Sequence, residues 1–278
     1  MRLLARASYL YHTEGFPILV QMGVKHLAQR CLQESLARYY SRAHQYQPAS
    51  GLPTVLTVPE ELVKYKSTFV RRQFPTYDKW AKKEATPHSR PVVGVLGGPW
   101  DQCKQPWEKS GLYRSLQQRF EQGIPWEETE KYQSAFMYID RGHKAWSSYS
   151  FSELDEKTAK IDQLYESMKQ YGYLSQTELR TQEDIPIDAS GTIQIHGREF
   201  PRESRVGIGR NGEIIRIEEG RHRIGIAKIL DIDSIPVLVV VRHKRWERIR
   251  NAFDSADSIS EVPERWREFV GHPDVPEI

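Results

Sequence analysis

The segment "NGEIIRIEEGRHRIGIAKILDIDSIPVLVVVRH", Asn211 to His243, constrains the fold most. Asn211-Gly212 is a strong hairpin signal. The residues from Glu213 to Ile217 read as a strand, and helical spacing follows from about Arg221 to Leu230. "SIPVLVVVRH" is apolar enough for a buried strand. Strand, glycine turn, helix and strand in this order imply an α/β protein. Glu219-Gly220-Arg221-His222-Arg223 then occupies the turn that opens the helix. The first N–H groups of a helix lack intrahelical partners and carry the positive end of its dipole. An anion is stabilised there before any side chain acts. Gly220 permits close approach of the backbone, and Arg221, His222 and Arg223 can add charge-assisted bonds to phosphate oxygens. Consecutive helical residues point about 100° apart, so all three cannot face one ligand. The competing reading is a surface ion-pair network with Glu218 and Glu219, worth little.

The rest of the chain sets the context. Its 278 residues suffice for one large or two smaller domains. A net charge of +3 is too weak to imply nucleic acid by itself. Cys31 and Cys103 form no metal or disulfide pattern and fit a reducing cytoplasm. No run approaches the roughly 18 apolar residues of a membrane span. The polar residues at the N-terminus argue against a signal core, so it reads as part of the fold.

Val24–Tyr46 has helical spacing. "TVLTVPEELVKY" reads as a strand and a turn at Pro59. Lys64, Lys66, Arg71, Arg72, Lys79, Lys82 and Lys83 suggest a solvated face or an anion-binding one. "RPVVGVLGGPWD" reads as a buried strand delivering Trp100 and Asp101 to a loop. Trp100, Trp107 and Trp126 suit the core, with substrate lining as the sharper alternative. Two amphipathic helices follow, the second with Pro125 in its first turn. The serines of "KAWSSYSFSEL", Lys144–Leu154, mark an expected boundary. Asp155–Tyr171 reads as a helix ended by Gly172. The chain from Arg180 to Arg205 looks irregular with short strands. Two helical pieces around Trp246 and Trp266 close the chain. The expected organisation is a mainly helical region with a few strands (1–147), a sheet-bearing unit (148–250) and a helical tail (251–278).

"IDQLYESMKQYGYLSQTEL" and "RIEEGRHRIGIAKILDIDSIPVLVV" resemble the two boxes of the ParB/sulfiredoxin superfamily. The second shows the strand, the basic turn, the helix containing Ala and the Ile235-Pro236-Val237 strand. The resemblance covers about residues 152–243. It implies a mixed sheet with helices that binds a nucleotide at the turn. Sulfiredoxins carry a cysteine where Arg221 stands, which argues against redox chemistry. Chromosome-partition members append a DNA-binding domain, whereas the tail here is short and acidic. The turn is most similar to the D-G-H-H-R type of the free serine kinases. That similarity implies Glu219, Gly220, Arg221, His222 and Arg223 at the phosphates. It also implies catalytic roles for His222 and for an upstream base, with Glu153 preferred over Glu156. ATP or ADP would be the donor, with CTP as the alternative. Mg²⁺ would be held with help from Glu219 or Asp188, although the metal ligands are not fixed by the resemblance.

The expected function is nucleotide-dependent phosphoryl transfer in the cytoplasm to a small hydroxyl or glycan-like acceptor, with Trp100 and Asp101 in the acceptor site. The alternative is a nucleotide-binding regulatory or DNA-associated protein without kinase activity. Arg242, Lys244, Arg245, Arg248 and Arg250 around Trp246 are its support, and nucleic acid is the less favoured partner. A nuclease is a distant third, because no metal-ligand cluster speaks for it.

Overall fold

The computed structural model describes residues 46–47, 52–67, 93–182, 191–195 and 198–278. Residues 24–45 of the expected Val24–Tyr46 helix, Cys31, the basic residues from Arg71 to Lys83 and Asp188 lie outside them, whereas Tyr46, the last residue of that expected helix, is in a strand.

Among the described residues the strands are β1 (Tyr46–Gln47), β2 (Thr54–Pro59), β3 (Tyr65–Ser67), β4 (Gly94–Leu96), β5 (Lys104–Pro106), β6 (Thr192–Ile195), β7 (Arg198–Pro201), β8 (Ser204–Ile208), β9 (Ile214–Glu218) and β10 (Ser234–His243). The α-helices are α1 (Gly111–Phe120), α2 (Glu130–Asp140), α3 (Phe151–Tyr171), α4 (Gln176–Thr181), α5 (Arg221–Ile229) and α6 (Lys244–Asp254). The fold is α/β with a mixed sheet, as the sequence implies.

Eight strands form one sheet in the order β1-β4-β10-β8-β9-β3-β5, with β2 also paired to β10. β8 and β9 make the antiparallel hairpin announced by Asn211-Gly212. β10 runs parallel to β8 and, through its last residues, to β4, while β2 pairs antiparallel with its first half. β3 lies parallel to β9 and antiparallel to β5. β1 to β5 all precede residue 107, so strands from both sides of Lys144–Leu154 share this sheet. The described part of 1–147 holds two α-helices and five short strands, consistent with the expected helical region with a few strands.

β10 is buried along almost its whole length. Its side chains alternate: Val237 and Val239 join the main core, while Leu238 and Val240 pack with Val93. Helices α1, α2, α3 and α5 pack on one another. α5 comes close to α1, because a Cβ at Gly225 would stand 2.7 Å from Leu116 Cδ1. α6 packs on β10 and β4.

Two helix starts differ from expectation. α3 begins four residues before Asp155, because Ser150 caps it: Ser150 Oγ accepts from Glu153 N at 3.2 Å. The serines that read as a break therefore include a cap. Pro125 opens a 3-10 turn at Trp126–Glu128, and α2 starts only after Thr129. α4 was not expected; it carries a Ser175–Glu178 capping box.

Candidate functional site

The turn between β9 and α5 is built from two successive left-handed residues, Glu219 at φ 45° and Gly220 at φ 65°. A Cβ at Gly220 would fall 1.9 Å from Ser204 Oγ, so β8 itself demands the glycine. Close approach of a ligand is not needed to explain it. α5 follows with no side-chain cap and no acidic residue in its first turn. Its leading N–H groups keep their capacity for an anion.

The three basic residues of the turn separate, as their angular spacing requires. Arg223 turns inward. Its Nη1 donates to buried Glu203 at 3.0 Å, its Nη2 donates to Leu174 O, and its guanidinium lies 4.2 Å from the Tyr173 ring centroid. Burial raises the Glu203 carboxyl, and Arg223 offsets part of that rise. Arg223 is thus occupied by the protein, contrary to the expected phosphate role. Glu219 is also occupied: it accepts from Arg202 at 3.1 and 3.2 Å and pairs with Arg205 at 2.6 Å. It is not poised to help hold Mg²⁺.

Arg221 has no ion pair among the described residues, and burial alone holds its guanidinium below the usual value. His222 lies against Trp146, ring centroids 6.1 Å apart. Its Nε2 is buried without a hydrogen-bond partner. Burial pushes the imidazole down to about 3, and Arg221, Lys157, Arg216 and Lys131 push the same way. The ring is therefore neutral near pH 7.

His222 lines a cleft of about 360 Å³, and Glu153, Glu156, Lys157 and Lys160 of α3 line it too. Ser147, Ser148, Ile161 and Leu164 complete its lining. The structure thus brings the two expected catalytic residues, Glu153 and His222, to one cavity. Glu153 is exposed, and its carboxylate accepts from Tyr149 N at 2.6 Å while helping to fix the start of α3. Burial lowers Lys157, and Arg221, Lys160 and Lys144 lower it further. Neither Lys157 nor Lys160 stands out in the sequence. Their only signal is the helical spacing that puts them on one face with Glu153 and Glu156.

The expected acceptor residues sit elsewhere. Trp100 is buried with Leu96, Ile215 and Val241. Asp101 is 2% exposed and binds Arg210 through Nε at 2.8 Å, Nη2 at 2.7 Å and the backbone N at 2.9 Å. Burial raises its carboxyl, but the Arg210 bonds outweigh burial and hold it low. Neither residue lines the cleft.

The basic stretch offered for DNA is partly internal. Arg242 is 2% exposed and donates to Asp274 through Nε at 2.8 Å and Nη2 at 2.5 Å, and Trp246 Nε1 donates to the same carboxylate at 2.8 Å. The acidic tail therefore supplies a buried counter-ion. No group of three His, Cys, Asp or Glu residues that could hold a metal occurs among the described residues. No helix among them is long and apolar enough to cross a membrane. No protein-family model matches the chain, and no curated protein and no solved structure matches it.

Proposed function

We propose that the protein is a nucleotide-dependent phosphotransferase acting on a small hydroxyl or glycan-like acceptor, with ATP or ADP as donor. CTP is the alternative nucleotide, and the ParB/sulfiredoxin-like resemblance of residues 152–243 supports the choice of chemistry. One observation carries the reading: Glu153 and His222 line one cleft, and Arg221 precedes His222 at the uncapped start of α5. In this reading the α5 N–H groups, Arg221 and Lys157 hold phosphate oxygens. His222, neutral at working pH, gives or takes a hydrogen bond without adding charge. The acceptor hydroxyl hydrogen-bonds to Glu153. As its oxygen bonds to the transferred phosphorus and the bond to the leaving phosphate oxygen breaks, its proton passes to the Glu153 carboxylate. Positive charge already fixed around the phosphates is the main catalytic contribution.

Mg²⁺ neutralises phosphate charge when it accompanies a nucleotide. It commonly uses only one or two protein carboxylates, so Glu156, beside Glu153 in the cleft, fits it. The capping bond from Tyr149 N to Glu153 favours a second reading, a nucleotide-binding regulatory protein in which this glutamate is structural.

Thermal shifts with ATP, ADP, CTP and GTP, with and without Mg²⁺, test the pocket. Transfer of labelled phosphate to a panel of hydroxyl compounds tests the chemistry. Glu153→Gln preserves an acceptor for Tyr149 N. It should abolish transfer and leave the nucleotide shift intact, whereas Arg221→Ala should remove the shift. If no nucleotide raises the melting temperature, the proposal fails. If nucleotides bind but no acceptor is phosphorylated, the regulatory reading replaces it.

A further inference from the structure

Beside the cleft lies a group of donors and cations that the phosphotransferase reading does not use. Lys66 of β3 stands in register with Arg216 of β9, directly ahead of the α5 turn. Lys66 Nζ donates to Ser110 Oγ, at the start of α1, at 3.1 Å. Lys131, in the first turn of α2, holds its Nζ 5.9 Å from the Trp146 ring centroid. That ring in turn packs on His222. The Arg216 guanidinium lies 5.6 Å from the Trp107 ring centroid.

Two features of this group call for an anion. Trp107 and Trp146 are 1% and 7% exposed, and the indole N–H of each is buried without an acceptor among the described residues. Buried donors are rarely left so. The cations also repel one another. Burial first, then Arg216, Lys131, Arg114 and Arg221, lower Lys66 to about 8. Burial and Arg221 lower Lys131, with Glu130 only partly opposing them. Glu130 is itself held by Arg114 in two bonds of 2.7 and 2.8 Å.

We propose that Lys66, Lys131 and Arg221, with the Trp107 and Trp146 indoles, form a second anion subsite adjoining the start of α5. The ligand is then a pyrophosphate group, free or carried by a nucleotide, and not a single phosphate. The inference rests on the phosphate reading of the α5 turn and extends it into the half of the chain that the resemblance does not cover. One phosphate, with at most about two negative charges, would leave much of this positive charge unbalanced. Two linked phosphates carry more negative charge than one and more acceptor oxygens to match the unpartnered indole donors.

Calorimetric titration of the full chain with inorganic pyrophosphate, orthophosphate and ADP tests the subsite, using Lys66→Met and Lys131→Met. Pyrophosphate should bind at least about tenfold tighter than orthophosphate, and each substitution should cost it about tenfold, as loss of one charge-assisted bond does. Each should leave orthophosphate binding nearly unchanged. The ligand-free variants should melt higher than the parent, because a repelling charge is gone. Better stability with weaker binding separates a ligand site from a structural one. Equal affinity for the two anions, or wild-type pyrophosphate binding in both variants, overturns the proposal. Tighter binding of ADP than of pyrophosphate identifies a nucleotide as the source, and the reverse identifies the free anion. If the pyrophosphate pattern appears without phosphoryl transfer, the subsite stands and the catalytic reading falls. ATP binding and turnover indifferent to both substitutions do the opposite.

Discussion

At His222 the protein keeps a neutral imidazole among cations, and that choice has a pH signature. The unfolded ring titrates near 6.5 and the folded ring near 3. The unfolded chain therefore binds the extra proton first. Stability is full above about pH 6.5 and falls as the pH drops towards 3. At pH 5 the loss is about 2 kcal/mol from this residue alone. Burial lowers His243 and His272 in the same direction, so the parent slope is a sum. Replacing His222 by Asn should flatten urea-unfolding stability between pH 6.5 and 5 by about that amount. An unchanged slope would show that the ring is solvated in solution. Arg221 and Arg223 offer a contrast two positions apart. Arg223→Ala strands Glu203 in the interior and should cost about 3 kcal/mol in denaturant unfolding, with anion affinity retained by the folded fraction. Arg221→Ala should leave stability equal or higher and weaken anion binding. The sequence shows three basic residues in a row. It does not show their separation, because the partner that claims Arg223 lies 20 residues away, in the segment entering β8.

The elements with sequential hydrogen bonding and clear periodicity were legible: the β8–β9 hairpin, α5, β10 and the Gly172 stop of α3. The start of α3 was not, because a capping serine and a linker serine look alike until Glu153 N is seen to reach Ser150. Just before it, Ala145 and Ser148 exchange both backbone bonds, at 3.0 and 2.8 Å, around Trp146 and Ser147 at φ 48° and 70°. Left-handed backbone is unfavourable for both residue types. The turn directs Trp146 into the core against His222 and Trp126 and leaves Ser147 at the cleft. Strain held beside a cavity is where function commonly stores it. Ser147→Gly removes the steric penalty but adds unfolded-state entropy. The first effect should dominate at this φ, giving a net gain of about 0.5–1 kcal/mol in melting experiments. A loss of stability would mean that the Ser147 side chain makes contacts that outweigh the strain.

Across the whole molecule the site depends on both halves of the sequence. Periodicity could not reveal this, because β3, β4 and β5 are three residues long, too short for an alternating pattern to register. Their pairing is long-range: β4 lies against the end of β10 and β3 against β9. The resemblance over residues 152–243 suggests a self-sufficient nucleotide-binding unit, whereas the sheet places β10 between β8 on one side and β2 with β4 on the other. Without the first half, β10 would present a long apolar edge from Ser234 to His243, and α5 would lose the Leu116 surface against which Gly225 packs. Exposed edges of that kind pair with other chains. A fragment of residues 148–278 should therefore lack cooperative thermal unfolding and aggregate, although Asp274 would still be present to hold Arg242 and Trp246. Supplying residues 1–147 as a separate chain should restore a cooperative transition and, with it, pyrophosphate binding. A fragment that melts cooperatively alone, with a dispersed amide spectrum, would show that β8, β9 and β10 form an independent core. The N-terminal strands would then be an addition to that core, and Lys66 and Lys131 would be dispensable for its stability.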